Sequence, residues 1–375
     1  MKHVTLALLV LIVLSALAIG CAPAPAAAPV APSSAPAAQQ PTSAPAAAAA
    51  APTAAAKAAP TGGRLAAVLN RKKLICGTNG ELAGFSTLAS SGDYVGFDAD
   101  YCRAMAAALF GDVKAVEFRK VNTTERFAAL QSGEVDIVFR NTTNTIVRDT
   151  QNGVDFGPTT FYDGGGMMVP KKSNVKKLED LNGATICVLE GTTNVQVLAD
   201  VFKARNIKYT AQTFKDAPTL YKSLDEGRCD AATSDKSQLA GQRVSLVKNP
   251  DDYVILDETM SKEPLTPMVA QGDSQWRDIM DWVVNATFYA EENGMTSKNI
   301  DSFKTSDVPD IKRFLGITDD IPKKMGLSND AFYNIVKLVG NYGEIYDKNI
   351  TPLGVPRGLN NLYTKGGLLY SPPFH

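Results

Sequence analysis

Val135-Asp136-Ile137-Val138-Phe139-Arg140-Asn141-Thr142-Thr143 is the stretch on which the fold turns. Its first part is apolar with little alternation, the pattern of a strand buried on both faces of a parallel sheet. Its second part turns abruptly polar. The helical pattern before it, Thr124–Ser132, stops at Gly133, a glycine placed to end a helix in the left-handed conformation. Outward from this point the same alternation continues. Strands are predicted at Leu74–Thr78, Val116–Val121, Val135–Arg140, Ala184–Leu189, Tyr209–Phe214, Cys229–Ser234 and Tyr253–Leu256. Helices are predicted at Asp98–Leu109, Thr124–Ser132, Val195–Arg205, Ala217–Glu226 and Trp276–Glu292. Strand–helix alternation means βαβ units, an α/β fold with mostly parallel sheets. Ligands of open α/β sheets bind beyond the carboxyl ends of the strands. The places to search are therefore Thr78–Phe85, Arg140–Arg148, Leu189–Thr193 and Ser234–Asp235.

Composition narrows the function. Among 375 residues there are 38 Lys and Arg against 39 Asp and Glu, so the chain lacks the basic footprint of a nucleic-acid binder. The two histidines, His3 and His375, stand at the extreme ends. That removes histidine acid–base catalysis, Ser-His-Asp and Cys-His nucleophiles and histidine-ligated metals. There is no P-loop, no Gly-x-Ser-x-Gly elbow and no Cys-x-x-Cys pair. Gly164-Gly165-Gly166 lacks dinucleotide-fingerprint spacing and reads as flexible backbone between domains. No cofactor and no metal are expected.

Residues 1–20 have the layout of a secretory signal: Lys2, an apolar run from Val4 to Leu14, then small residues. The apolar run is short of the ~20 residues of a membrane span. Leu17-Ala18-Ile19-Gly20-Cys21 resembles a bacterial lipobox, with Cys21 the lipidated residue; the alternative is a plain signal peptide. Residues 21–62 are almost entirely Ala, Pro, Ser, Thr and Gln, with one charge at Lys57. Such a segment has little to bury and reads as a disordered tether. The remainder, 63–375, has the size of two ordinary domains.

The strand ends offer binding chemistry. Arg148, Asn141 and Thr143 together make a carboxylate receptor, because a guanidinium fork matches a carboxylate bidentately. Gly191-Thr192-Thr193 ends a strand and opens a helix, so its N–H groups suit an anion. Asp235 suits an ammonium. Each has a plainer reading: Arg148 as a solvated helix residue, Asp235 and Thr192-Thr193 as helix caps.

Taken together these residues resemble the solute-binding proteins of polar amino-acid ABC importers. Gly96-Phe97-Asp98-Ala99-Asp100, Leu130-Gln131-Ser132-Gly133-Glu134-Val135-Asp136, Leu189-Glu190-Gly191-Thr192-Thr193 and Gly227-Arg228-Cys229-Asp230-Ala231-Ala232-Thr233-Ser234-Asp235 carry the resemblance. Arg140-Asn141-Thr142-Thr143, Gly340-Asn341-Tyr342-Gly343-Glu344, Arg357-Gly358-Leu359-Asn360 and Thr364-Lys365-Gly366-Gly367-Leu368 are similar to the general L-amino-acid-binding branch. The resemblance implies a two-lobed periplasmic-binding-protein fold of type II. Lobe 1 would span 63–165 and 262–375, lobe 2 would span 166–261, and the crossovers would lie near Thr160–Val169 and Leu256–Val269. By position, Arg148 would bind the ligand α-carboxylate with Thr193 and Thr143. Asp235 would bind the α-ammonium with Asn141. Arg140, Leu82 and Phe85 would face the ligand side chain. Where Leu82 falls the family often has an aromatic ring.

The implied partners are an L-amino acid, polar or acidic by preference, and the membrane permease of an ABC importer. The chain would be a monomer outside the cytoplasm, with a lipid anchor as its only membrane contact. Four cysteines remain after Cys21, and three pairings are open to them. Cys187 with Cys229 and Cys76 with Cys102 are the pairs within a lobe; free thiols are the alternative. An exported dehydratase-like enzyme would need a buried acid for proton transfer, with Glu190 or Glu81 the nearby candidates. A ligand sensor for a signalling partner is the third reading.

Overall fold

The computed structural model describes residues 63–375. The expected signal segment, Cys21 and the tether lie outside the described residues. Two principal sheets organise the chain. The first runs Val116–Lys120, Leu74–Thr78, Ile137–Thr143, Glu263–Ala270, Val154–Phe156, with Phe161–Asp163 also paired to Glu263–Ala270. The second runs Tyr209–Phe214, Ala184–Leu189, Ala231–Asp235, Gly165–Pro170, Tyr253–Ile255. In each sheet the first three strands are parallel, as the apolar runs require. The strands that carry the chain from one sheet to the other pair antiparallel, so both sheets are mixed.

The strand at Ile137–Thr143 is buried along its whole length, including the polar Arg140, Asn141, Thr142 and Thr143. It starts two residues later than its apolar run and extends three further. Pairing with Glu263–Ala270 keeps the polar end in the ladder.

The chain passes between the sheets twice, at Asp163–Gly165 and between Ile255 and Glu263. Gly164-Gly165-Gly166 is here, but flexibility is not its purpose. A Cβ on Gly165 would lie 2.7 Å from Ser261 Oγ, and one on Gly166 would lie 2.7 Å from Lys236 Cγ. These glycines admit a close approach of packed segments, and Gly165 and Gly166 pair with Asp235 and Ser234 in the second sheet.

A small antiparallel sheet, Glu81–Leu82, Ser86–Leu88 and Tyr94–Val95, follows the first strand. Period-based reading missed it because its strands are only two or three residues long. Leu82 and Phe85 belong to the main core. The Phe85 ring sits 5.2 Å from that of Phe161 and 6.0 Å from that of Phe97.

The segment after Glu292 packs into the core beside the first sheet. Phe314, Phe332, Tyr342, Tyr346 and Phe374 are buried in the same core as the helices Phe97–Phe110 and Ser274–Glu292. Asn341 and Glu344 form a capping box on the helix Tyr342–Asn349. Arg357 pairs with Glu291 and lies over the rings of Tyr342 and Tyr346. Asn360 accepts from the Tyr162 N–H at 2.6 Å and donates to its carbonyl at 3.0 Å, pinning the first crossing. Cys76 and Cys102 form one disulfide, Cys187 and Cys229 another, so each bridge stays within one sheet and its flanking helices.

Candidate functional site

The carboxyl ends of the parallel strands of both sheets converge on a cavity of about 310 Å³. Of the eight ligand residues expected, Arg140, Asn141, Thr143, Arg148, Thr193 and Asp235 line it. Leu82 and Phe85 do not. Both are apolar and adjacent to a large aromatic core, and burial there removes them from the cleft.

The first sheet supplies the basic side. Thr145 caps the helix Ile146–Gln151 by accepting from the Arg148 N–H. That turns Arg148 inward, and it is 9% exposed, which rules out the solvated-helix reading. Its Nη1 donates to the Thr143 carbonyl at 2.9 Å and its Nη2 to the Gly191 carbonyl at 3.2 Å, across the cleft. Arg126, at the start of the helix Arg126–Gln131, is buried more deeply still. It donates to Thr142 Oγ1 at 3.2 Å and to the same Gly191 carbonyl at 3.3 Å. Both guanidiniums lie over the ring of Phe127. Arg140 donates from Nε to the Val121 carbonyl at 2.8 Å and forms no ion pair with Glu81 or Glu190. Burial lowers the Arg140 guanidinium to about 10, with Asp98 working against that shift. Burial, then the neighbouring Arg148 and Arg140, push Arg126 well below its ordinary value. Each guanidinium has an acid that works against the effect of burial: Asp98 for Arg140, Asp235 for Arg126, and Glu263 with Asp235 for Arg148.

Asn141 is shaped by a second buried group. Its φ of +35° is left-handed, and its N–H donates to Asp98 Oδ2 at 3.0 Å. Burial raises Asp98 to about 7, moderated by that hydrogen bond and by Arg140.

The second sheet and the crossing strand supply the acidic side. Asp235 ends its strand at the N-cap position of the helix Lys236–Ser245, yet its side chain makes no capping hydrogen bond. Instead it accepts from Asn194 Nδ2 at 2.9 Å and from Gln238 Nε2. Burial, then Asp163 and Glu263, raise it well above the ordinary carboxylate value. Asp163 is raised by burial to about 6 and is held by Ser237. Glu263 lies directly opposite Asp163 across the strands and is 1% exposed. It accepts from the Thr143 hydroxyl at 2.6 Å and from the Thr193 hydroxyl at 2.8 Å. Thr192, beside it, turns its hydroxyl to the Leu189 carbonyl rather than capping the helix.

Three buried polar atoms of lining residues lack a partner among the described residues: Arg126 Nε, Asn194 Oδ1 and Gln242 Oε1. Unsatisfied donors and acceptors of this kind are completed by a polar ligand or by water. No group of three His, Cys, Asp or Glu placed to hold a metal occurs among the described residues. Of the two acids considered for proton transfer, Glu81 lines the cavity but is half-exposed and paired with Lys120, and Glu190 is not among the lining residues.

Arg126 and Glu263 were not anticipated. Arg126 had a usable signal: Asn122-Thr123-Thr124-Glu125-Arg126 follows the strand Val116–Lys120, so it too lies beyond a carboxyl end. Glu263 stands at the start of an antiparallel crossing strand, where that rule does not point.

Residues 74–292 match the model of the bacterial extracellular solute-binding proteins, family 3. The chain is 50% identical over 303 residues to the general L-amino acid-binding periplasmic protein AapJ of Rhizobium johnstonii, covering 80% of this chain and 89% of that one. It is 45% identical over 308 residues to the glutamate/glutamine/aspartate/asparagine-binding protein BztA of Rhodobacter capsulatus, covering 81% and 91%. A periplasmic binding protein of an ABC transporter from Brucella ovis, solved with glutathione bound, superposes with a TM-score of 0.81 at 46% identity, over 83% of this chain and 99% of that one. With a polar cavity between two mixed sheets and these relatives along most of its length, the chain belongs to the bacterial extracellular solute-binding proteins of family 3.

Proposed function

We propose that the protein captures L-amino acids outside the cytoplasm, between two lobes, and delivers them to the permease of an ABC importer. The observation that carries this reading is the polarity of the cavity. Arg148, Arg126 and Arg140 stand on one side and Asp235 on the other, so a zwitterion satisfies both ends at once. Each end alone would leave a buried charge uncompensated. Because the two charges belong to different sheets, a bound zwitterion bridges the lobes and favours the closed arrangement by its differential contacts. Lobe 1 is taken as 63–165 with 262–375, and lobe 2 as 166–261. The surplus of cations favours ligands with an acidic or amide side chain over Lys and Arg. BztA of Rhodobacter capsulatus is named for ligands of that kind, glutamate, glutamine, aspartate and asparagine. The glutathione of the Brucella ovis structure also offers an α-ammonium and an α-carboxylate.

The test is a thermal-shift screen of the twenty amino acids and glutathione, followed by calorimetry. A ligand specific to the native state raises its stability by mass action. No stabilisation by any amino acid rejects the reading. The reading as a binding protein rather than a dehydratase-like enzyme is supported by relatives that are named as binding proteins.

The anchoring reading is that Cys21 carries lipid and that 21–62 tethers the monomeric body to the membrane surface. Cys21→Ser is then expected to release the protein into the soluble fraction, since lipid chains supply the attachment. Mass spectrometry of the mature N-terminus decides it: cleavage elsewhere, with no lipid on Cys21, rejects the anchor.

A further inference from the structure

The helix Lys236–Ser245 lines the cavity beyond Asp235 with two amides on one face, Gln238 and Gln242. They are used differently. Gln238 is committed at both atoms: its Oε1 accepts from the Ser234 hydroxyl at 3.2 Å, and its Nε2 donates to Asp235. Gln242 is 5% exposed, and its Oε1 has no donor among the described residues. A buried amide oxygen in that state is completed by something that enters the cavity. The surroundings of Gln242 are tight. A Cβ on the preceding residue, Gly241, would lie 2.5 Å from the Ala83 carbonyl oxygen and 3.4 Å from Leu82 Cδ1. The helix therefore meets the turn of the small sheet across the cleft by backbone, which narrows this end of the cavity. The polar lining residues beside that contact are already engaged. Glu81 pairs with Lys120, and Asn79 accepts from the Glu81 N–H at 3.2 Å and donates to Asn141 Oδ1 at 3.4 Å.

We infer that Gln242 is a specificity-determining residue that reads the distal end of the ligand side chain, taking a carboxamide or a carboxylate by turning its own amide. Helix geometry sets the placement. Gln242 follows Gln238 by one turn, ~5 Å further from Asp235 along the axis. That is the reach of an amino-acid side chain whose head group lies beside Asp235. A terminal amide carries a donor and an acceptor at ends of nearly the same shape. With its oxygen forward, Gln242 accepts from the NH2 of a ligand carboxamide. With its nitrogen forward, it donates to a ligand carboxylate. A fixed charge at this position would choose one of the two. The class selected is side chains that end in a carboxamide or a carboxylate. Aliphatic side chains leave the Gln242 amide buried and unpaired, which costs affinity. The arginines bias the cavity by charge, whereas Gln242 reads the atoms it touches. The inference rests on amino-acid capture at this cavity.

The experiment is calorimetry with glutamine, glutamate and alanine as ligands. Alanine keeps the head group and lacks the distal group, so it reports on the cavity without Gln242. The wild type comes first. If none of the three binds, the capture reading falls and takes this inference with it. If they bind and the variants leave selectivity unchanged, this inference alone falls. Gln242→Leu roughly conserves volume and removes both donor and acceptor. Glutamine and glutamate are expected to bind about tenfold more weakly to it, because each then buries a polar group without a partner. Alanine is expected to stay within about twofold of its wild-type affinity, since its contacts are untouched. Gln242→Glu, measured at alkaline pH where the new side chain is ionised, offers an acceptor only. The preference for glutamine over glutamate is expected to rise about tenfold, through the like charge set against the glutamate carboxylate. A loss for alanine as large as that for glutamine and glutamate, or no loss for the two longer ligands, overturns the inference. If Gln242→Leu does not fold, Gln242→Glu decides alone, and an unchanged glutamine-to-glutamate ratio overturns it.

Discussion

The two ends of the cavity are built differently. At the basic end, guanidiniums are aimed mostly by backbone carbonyls: Thr143 and Gly191 for Arg148, Gly191 for Arg126 together with the Thr142 hydroxyl, Val121 for Arg140. At the acidic end, Asp235 and Glu263 are aimed by side chains, Asn194 and Gln238 for the first and two threonines and Ser261 for the second, while Asp163 accepts from the Ser237 hydroxyl and from the Gly164 and Ser237 N–H groups. Backbone acceptors come with the fold and need no particular neighbouring residue. Side-chain donors must each be specified. The basic end is therefore tolerant of changes around it and intolerant of changes to the arginines. The acidic end depends on a network whose members hold one another in place.

The largest effect expected is from breaking either end outright. Arg148→Ala and Asp235→Ala should each cost ~2–5 kcal/mol of ligand affinity, ~30-fold or more, because each leaves a desolvated ligand charge without its partner. The loss should be similar for every amino acid, since all present the same head group. Calorimetry with Glu, Gln and Ala checks this. Binding near the wild-type value in either variant would remove the head-group site from this cavity.

A smaller effect separates the arginines from one another. Arg126 has an Nε without a partner, and its cationic form is disfavoured by burial and by two like charges. Arg140 has its Nε committed to Val121 and a counter-charge in Asp98. An anionic ligand side chain therefore compensates Arg126 more than Arg140. In a competition series, Arg126→Ala should lose about tenfold for Asp and Glu relative to Ala, a charge-assisted hydrogen bond's worth. Arg140→Ala should lower the melting temperature and weaken all ligands evenly. The opposite pattern would make Arg140 the residue that reads the side chain.

This division shows what was legible in the sequence. Most of the predicted strands of the two sheets, and the ends on which Arg148, Thr193 and Asp235 sit, follow from apolar runs bounded by polar residues. The strand-end rule carried Asn141 and Thr143 as well, and would have carried Arg126 had the end at Val121 been searched. The acidic end was legible only in Asp235. Glu263 accepts from hydroxyls of two remote segments, and such a convergence exists only after the crossing strand is paired. Leu82 and Phe85 failed for the same reason in reverse. Their positions follow a strand end, but the small sheet they belong to folds them onto Phe97 and Phe161. The glycine run at 164–166 marks the crossing correctly, although its cause is close packing.

The smallest effect is a difference in pH dependence between binding and stability. In the free protein Asp235 holds its proton above the ordinary value of 3.8, because burial, Asp163 and Glu263 all disfavour its charge. A bound ammonium favours the charged form, so the complex binds fewer protons than the free protein. Capture therefore releases protons, and affinity falls as the pH is lowered through the raised range of Asp235. Stability of the ligand-free protein has the other sign. Asp98 at about 7 and Asp163 at about 6 hold protons in the folded state that the unfolded chain, near 3.8, has already lost. Their raised values mean that stability is greater near pH 5 and declines as the pH rises through 6 and 7. Acidifying from pH 8 to 5 should thus raise the melting temperature of the free protein by at least a few degrees, while weakening the ligand. Calorimetry in buffers of different ionisation enthalpy measures the proton release, and a melting series measures the slope. Asp98→Asn keeps an acceptor for the Asn141 N–H and should flatten the melting series without altering the protons released on binding. A binding reaction that takes up protons in this range would show that the ammonium does not sit beside Asp235.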